Sequence, residues 1–340
     1  MSEAVDTLNV ENLQKYLAAR IADFGTIQEC TKFAGGQSNP TFLVRTGKSR
    51  YVLRRKPPGV LLKSAHAVDR EYRVMKALAA TQVPVPRMLT LCDDDSVIGS
   101  MFYVMEFVEG RIFWNSALPE QTPAERRAIY GEMVRVLAAM HTVNLEQAGL
   151  TDYGRPGNYF ERQIKRWTEQ YRASQTGTLP AMEKLMEWLP ANVPADDGRV
   201  ALNHGDYRID NVMFHPAESR IVAVLDWELS TLGHPWADLA YQCMNLRLPP
   251  DAAIPGLGGL DREALGIPSE EEYVARYCEL TGIKAIPNWD FYIIFSFFRI
   301  AAILQGVYKR ALDGNASSKK AMDYGALAGP IAEMAVAMIR

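Results

Sequence analysis

Cysteine is scarce in this chain: Cys30, Cys92, Cys243 and Cys278 are the four in 340 residues. None lies close to another in sequence. No CxxC pair or Cys/His cluster forms a zinc pattern, and the spacing is not that of a disulfide framework. Four reduced, mostly buried thiols in a cytoplasmic protein are the expectation. No run reaches the roughly 18 apolar residues of a membrane span. The most apolar window, Phe291 to Val307, is interrupted by Arg299 and Gln305, and reads as the buried helix of a soluble protein. The N-terminus carries Glu3, Asp6 and Glu11 and lacks the basic and apolar regions of a signal peptide. An excess of either charge is also missing. Lys and Arg number 37 against 40 Asp and Glu, a formal net charge of -3. This balance leaves no footprint for nucleic acid or an anionic membrane, so neither is expected as a partner. There is no internal repeat and no low-complexity tail.

What is present is a change of pattern along the chain. Leu8 to Ile21 has apolar residues at helical spacing. Strands are expected at Ile27–Phe33, Thr41–Arg45 and Tyr51–Arg54, with Gly35-Gly36 and Thr46–Ser49 as turns. Ala67–Ala80 reads as a helix. Arg87–Cys92 and Met101–Phe107 read as strands joined by the acidic turn Asp93–Asp95. After Glu109 the sequence is mainly helical, with long helices at Pro123–Thr142 and Tyr159–Ser174. A break rich in Pro, Asp and Gly covers Leu189–Gly198. Short strands are expected near Val212–Phe214 and Ile221–Leu225, and Pro249–Pro268 reads as an extended loop. The fold class is therefore α+β. A small β-rich lobe spans residues 1–108 and a larger helical lobe spans 109–340.

The strongest chemical signal is His204-x-Asp206, with Asn211 five residues after the Asp and Asp226 closing the apolar run Ile221–Leu225. Phosphoryl transfer asks few groups of a protein. One carboxylate must orient the attacking hydroxyl and take its proton, and Asp206 fits. Magnesium prefers hard oxygen ligands, which Asn211 and Asp226 supply from the two ends of a hairpin. A lone HxD is weak evidence; the ordered set is strong.

The loop His204-Gly-Asp-Tyr-Arg-Ile-Asp-Asn211 resembles the HxDxxxxN motif shared by protein kinases and aminoglycoside phosphotransferases, and Asp226-Trp227-Glu228 stands where protein kinases have Asp-Phe-Gly. The glycine after His204 and the Trp-Glu pair are similar to the second group. The resemblance spans roughly the whole chain and implies a protein-kinase-like bilobal fold using ATP or GTP with Mg2+. It implies scaffolding roles for His204 and Asp238, and a phosphate-contacting, catalytic role for Arg208. Glu228 is left open between the metal shell and structure. The first lobe is then expected to hold the nucleotide. Gly35, Gly36 and Ser38 would approach the phosphates. Tyr51-Val-Leu-Arg54 matches the tetrad that ends in lysine in protein kinases. Arg54 is the first choice for the phosphate cation and Lys56 the second, with Val52 over the adenine. Glu71 is the expected partner of Arg54, with Asp69 as fallback. Backbone groups of Glu106 and Val108 would meet the adenine edge.

A narrower resemblance lies in Tyr51–Gly59, Asp152–Tyr159, His204–Asn211 and Phe298–Arg310. These look like the kinase-like domain of acyl-CoA dehydrogenase family members ten and eleven and its bacterial relatives. With no room for a dehydrogenase domain, the chain is expected to act only as a phosphotransferase. The resemblance implies a small-molecule hydroxylated substrate, a hydroxy acid or hydroxyacyl-CoA. Arg299, inside a very apolar run, is costly to bury alone. It would meet a substrate carboxylate or phosphate, or an internal acid, and the internal ion pair is the favoured reading. Tyr159 and Arg155 are candidates for the cleft mouth. The alternatives are an aminoglycoside, choline or homoserine kinase, and a non-catalytic nucleotide-binding module. Oligomeric state is not legible.

Overall fold

The structure is a computed structural model that describes residues 8–33, 39–57, 67–252, 254–314 and 321–339. Its contacts divide the chain into two units. The first is Met1–Arg111 with Met213–Pro216 and Val222–Leu229; the second is Ile112–Val212, Ala217–Ile221 and Ser230–Arg340. The division is not one cut in the sequence. Arg111 and Phe214 exchange backbone hydrogen bonds of 2.8 Å, which draws the second segment into the first unit.

The first unit contains α1 (Val10–Ala18), β1 (Ile27–Lys32), β2 (Thr41–Thr46), β3 (Arg50–Arg55), α2 (Val68–Leu78), β4 (Met88–Cys92), α3 (Asp95–Ile98) and β5 (Phe102–Glu106). The strands form one antiparallel sheet in the order β1-β2-β3-β5-β4. The acidic segment expected as a turn is in part a helix. The Asp94 side chain accepts from Ser96 N–H and caps α3. One face of the sheet packs Phe42, Val44, Tyr51 and Leu53 on Leu13 and Leu17 of α1. Alternation along β3 turns Val52 and Arg54 the other way. Arg55, 2% exposed, shares the first face and donates to the Ile98 carbonyl at 3.2 Å.

The second unit is mainly helical: α4 (Pro123–His141), α5 (Tyr159–Ser174), α6 (Pro180–Ala191), α7 (Trp236–Arg247), α8 (Arg262–Leu265), α9 (Glu270–Thr281), α10 (Trp289–Leu312) and α11 (Ala321–Val336). Between α6 and α7 in sequence run β6 (Ala201–Asn203) and β9 (Thr231–Gly233) of this unit, and β7 (Val212–Phe214) and β8 (Ile221–Val224), which fall largely in the first unit. β7 and β8 make the expected hairpin. β6 pairs antiparallel with β9, a second small sheet that three-residue strands are too short to announce. Helix α6 runs past the expected break at Leu189. Leu189 is fully buried, and the helix takes in Pro190, which cannot donate to the carbonyl four residues before it. Among the described residues, α10 alone is long and apolar enough to cross a membrane. It packs on α5, α7 and α11, with 78% of its most apolar window buried.

Candidate active site

The HxD loop leaves β6 in the second unit. Gly205 has φ +86°, a left-handed conformation that glycine enters without steric cost, and the chain reverses there between buried His204 and Asp206. Asp238, in the first turn of α7, is fully buried. Its carboxylate accepts from His204 N–H at 2.5 Å and from Gly205 N–H at 3.0 Å. A buried charge is tolerable only when hydrogen-bonded. Burial alone would raise the Asp238 pKa, but His141 and the His204 amide hold it below the usual carboxylate range. His141 Nε2 lies 3.7 Å from Asp238, and its Nδ1 is 2.7 Å from the Tyr277 hydroxyl. From α10, Arg299 Nη2 donates to the Gly205 carbonyl at 2.5 Å. Side chains of two helices thus engage both the N–H and the C=O of Gly205.

Around Asp206 the contacts are tight. Asn211 Nδ2 donates to the Asp206 carbonyl at 2.8 Å and to its Oδ2 at 2.9 Å. Asn211 Oδ1 is thereby the end left to face a cation. Arg208 Nε lies 3.5 Å from Asp206 Oδ1, and its Nη2 donates to Asp210 Oδ2 at 2.6 Å. Burial works against the Arg208 charge, yet Asp206, Tyr241 and Asp210 hold it protonated. The Asp210 carboxyl is pushed up by burial, which outweighs the pull of Arg208. Tyr207 is buried and donates to the Met133 carbonyl at 2.9 Å, fixing the middle of the loop to α4. His204 Nδ1 accepts from Asp206 N–H at 3.2 Å, a scaffolding contact within the loop itself.

The first unit holds a separate charged cluster. Arg54 Nε lies 3.1 Å from Glu71 Oε2, and Nη2 lies 2.6 Å from Asp226 Oδ1 and 3.8 Å from Glu228 Oε2. Glu71, 1% exposed, also accepts from Asn39 Nδ2 at 2.9 Å and from the Tyr103 hydroxyl at 3.2 Å. Burial pushes the Glu71 carboxyl up, against the pull of Arg54. Asp226 has φ +61°. For a residue with a Cβ this costs roughly 1–2 kcal/mol, and such strain persists only where the surroundings impose it. Next to it the Trp227 ring is buried, and its Nε1–H donates to the Val224 carbonyl at 3.0 Å. Asp226 supplies the hard oxygen that a magnesium ion prefers, as Asn211 Oδ1 does, so both fit that cation by chemistry.

Most of the residues singled out in the sequence fall in these two clusters. Arg54 takes Glu71, while Lys56 Nζ lies 3.7 Å from Asp69, the fallback acid. Val52 is buried on β3 opposite Met105. Glu106 ends β5, and its N–H donates to the Arg87 carbonyl at 3.0 Å; Val108 follows, half-buried. Gly35, Gly36 and Ser38 lie outside the described residues. Arg299 corrects an expectation: among the described residues no carboxylate lies within ion-pair distance of it. The Gly205 carbonyl and the rings of Tyr241 and Trp167, 5.1 and 5.6 Å away, take that place. Its charge supports the loop from beneath. Tyr159 starts α5, and its ring packs on Gly233, where a Cβ would come within 2.5 Å of it. Burial pushes its phenol up to about 12. His141, Tyr277 and Tyr103 were missed. Tyr103 was findable, because antiparallel pairing of β3 with β5 sets it opposite Arg54. His141 and Tyr277 carry no local signal.

The family model described as "Phosphotransferase enzyme family" matches residues 29–278. Acyl-CoA dehydrogenase family member 10 of Mus musculus is 50% identical over 327 residues, covering 95% of this chain and 30% of that protein. Acyl-CoA dehydrogenase family member 11 of Homo sapiens is 45% identical, covering 95% and 42%. The chain spans less than half the length of these curated relatives. A crystal structure of a Ralstonia eutropha protein, provisionally assigned as an aminoglycoside phosphotransferase, has 51% identity and a TM-score of 0.90 over 98% of each chain. The aminoglycoside phosphotransferase APH(4)-Ia, in a ternary complex with ADP and hygromycin B, shares the fold with a TM-score of 0.63 at 18% identity. That match covers 96% of this chain and 98% of that one.

Proposed function

The chain belongs to the phosphotransferase enzyme family and is a kinase-type enzyme acting on small molecules, and on that premise we propose that it transfers the terminal phosphoryl group of ATP to the hydroxyl of a hydroxy acid or hydroxyacyl-CoA. The observation that carries this reading is the restraint on Asp206. Asn211 holds one carboxylate oxygen, Arg208 lies beside the other, and the loop backbone is gripped from α7 and α10. A carboxylate held this way is placed to orient an acceptor hydroxyl and take its proton as the oxygen attacks. Arg208 offsets charge on the transferring group. Arg54, steadied by Glu71, pairs with the nucleotide phosphates. Val52, with the backbone of Glu106 and Val108, meets the adenine. ATP is favoured as donor because APH(4)-Ia binds ADP and AMP-PNP. Asp226 and Asn211 would hold magnesium. When bound, magnesium would supply positive charge against the charge that develops on the phosphates.

The acceptor class follows the relatives named as acyl-CoA dehydrogenase family members. An aminoglycoside reading would draw on the hygromycin B bound by APH(4)-Ia, and a polycation requires uncommitted acids. The acidic run Glu270–Glu272 is committed elsewhere. Glu270 binds Arg247 at 2.5 Å and Trp289 at 2.7 Å, and Glu272 completes the capping box of α9. The test is phosphoryl transfer from Mg-ATP to a panel of hydroxy acids and hydroxyacyl thioesters, read as a mass gain of one phosphoryl group. Transfer is expected for the native protein and not for Asp206→Asn. An aminoglycoside phosphorylated in preference to every member of the panel would overturn the acceptor class.

A further inference from the structure

Among the described residues the Tyr277 hydroxyl has one hydrogen-bond partner, His141 Nδ1 at 2.7 Å. Tyr277 comes from α9, and His141 is the last residue of α4. Their rings meet edge to face, with centroids 5.6 Å apart. Tyr277 is fully buried, and burial pushes its phenol well above the ordinary tyrosine value, so the oxygen keeps its proton. A buried hydroxyl proton needs an acceptor. A ring nitrogen accepts only when it carries no proton. Nδ1 is therefore the bare nitrogen, and the single ring proton of a neutral His141 sits on Nε2. The other tautomer and the imidazolium both carry a proton on Nδ1. Either would leave the Tyr277 proton buried without an acceptor.

Nε2 is the nitrogen on the Asp238 side. It is buried without a hydrogen-bond partner and lies 3.7 Å from Asp238 Oδ2. That gap is longer than a hydrogen bond, so the N–H acts on the carboxylate as the positive end of a dipole. The two side chains are each 1% exposed, and electrostatic forces are strong where water is excluded. Oδ2 is also the atom that accepts from His204 N–H at 2.5 Å, while Oδ1 accepts from Gly205 N–H at 3.0 Å. With the ring proton on Nδ1 instead, a lone pair would face this same oxygen and push the carboxylate away from both loop amides.

We propose that Tyr277 is a positioning residue for phosphoryl transfer: its hydroxyl fixes the His141 tautomer, and that tautomer keeps Asp238 seated on the loop amides next to Asp206. The proposal rests on the reading of Asp206 as base and adds to it a residue of α9 that touches no reacting group. The relay lies wholly within the second unit, running from α9 through α4 and α7 to the loop. A packing role would need the Tyr277 ring alone, so Tyr277→Phe separates packing from positioning.

The experiment uses the full chain with isotope-labelled histidine, beside Tyr277→Phe and His141→Leu. His141 is one of five histidines and is recognised by its contact with the Tyr277 ring. Its nitrogen resonances in the native protein are expected to show a bare Nδ1 and a protonated Nε2. A proton on Nδ1, in either form, would overturn the proposal. In Tyr277→Phe the His141 resonances are expected to leave that single tautomer, and the Gly205 amide to exchange its hydrogen about three- to tenfold faster, the range of one neutral hydrogen bond. A retained tautomer or unchanged exchange would overturn it too. With an acceptor that the native protein phosphorylates, Tyr277→Phe should lower kcat about three- to tenfold and change KM for ATP by about twofold or less. Unchanged kcat, or a rise in KM as large as the fall in kcat, would leave Tyr277 a packing residue only. In the His141→Leu background the same substitution should lower kcat no further, because the hydroxyl acts through His141. An additive loss would overturn the relay. Should His141→Leu not fold, the tautomer and the kcat of Tyr277→Phe decide by themselves. If the native protein phosphorylates no acceptor, the phosphotransferase reading falls, while the nitrogen resonances and the Gly205 exchange still decide whether Tyr277 seats the loop.

Discussion

Arg54 Nη2 lies 2.6 Å from Asp226 Oδ1, while Nε of the same guanidinium lies 3.1 Å from Glu71 Oε2. One planar group therefore spans two carboxylates that are 172 and 17 residues away in sequence. A lysine ammonium is a point charge and cannot present two directed edges in this way. Arg54→Lys is expected to lower kcat/KM for ATP about ten- to a hundredfold while the protein stays folded. Arg54→Met leaves Glu71, 1% exposed, without its cation. Breaking a buried pair from one side costs about 3–5 kcal/mol, readable by denaturant unfolding. A lysine variant with unaltered ATP kinetics would remove the case for the fork.

The Gly205 clamp gives a second expectation. Arg299→Met removes the donor to the Gly205 carbonyl but keeps much of the apolar volume beside Trp167 and Tyr241. The loop that carries Asp206 then loses its α10 support. The expected result is a fall in kcat of about tenfold or more with KM for ATP changed less than twofold, since misplacement of a reacting group is felt mainly in the chemical step. Asp238→Ala goes further. It strips two backbone N–H groups of their acceptor and costs about 1–3 kcal/mol for each one left buried and unpaired. An Arg299→Met enzyme with native kcat would show that α7 alone sets the loop.

The sequence made the chemistry legible where the motif is contiguous. Asp206, Arg208 and Asn211 lie within six residues of one another and meet in one cluster, so their spacing alone announces that cluster. The β-rich first unit was equally readable, because alternation and turn residues mark each strand. What escaped was whatever depends on pairing between distant segments. β6 and β9 are three residues each, and their sheet exists only because residues 201 and 233 meet. His141 closes α4 and reads as a favourable residue in a helix's last turn. Its position between Asp238 and Tyr277 is a product of packing among α4, α7 and α9. Arg299 is the instructive case. An arginine in an apolar helix suggests a carboxylate partner, but a backbone carbonyl and two aromatic faces satisfy it, and none of these leaves a trace in the local sequence.

Asn211 offers a prediction that separates two roles in one side chain. Its Nδ2 donates to Asp206, while its Oδ1 is the oxygen available to a cation. Asn211→Asp keeps an oxygen for the metal but replaces the donor with a second carboxylate beside Asp206. Asn211→Ala removes both. Magnesium titrations of the rate should show Asn211→Ala needing more magnesium than Asn211→Asp. Both variants should lose kcat, by about a hundredfold if Asp206 must be oriented to act as base. Equal magnesium dependence in the two variants would argue against Oδ1 as a ligand.

His234 is expected to weaken the fold on the acid side. It is 6% exposed, its Nε2 lies 3.2 Å from Asp197 Oδ1, and its ring sits 4.7 Å from Trp236 and stacks on Tyr292 at 6.0 Å. Burial disfavours the imidazolium more than Asp197 favours it, so the pKa falls below the ordinary histidine value of 6.5. Between the folded value and 6.5 the unfolded chain binds more protons than the folded one, and stability therefore rises with pH through that window. The contribution is complete above 6.5 and is lost as the pH falls through the folded value. Unfolding free energy should drop on acidification from about pH 7 to about pH 5, by at most about 1.4 kcal/mol per pH unit for this one group. His234→Phe keeps an aromatic ring in the cluster and removes the titration. Its unfolding free energy, measured by denaturant titration at a series of pH values, should be flatter over the same range, even if lower at neutral pH. The same slope in both proteins would mean that another group, and not His234, governs the acid side.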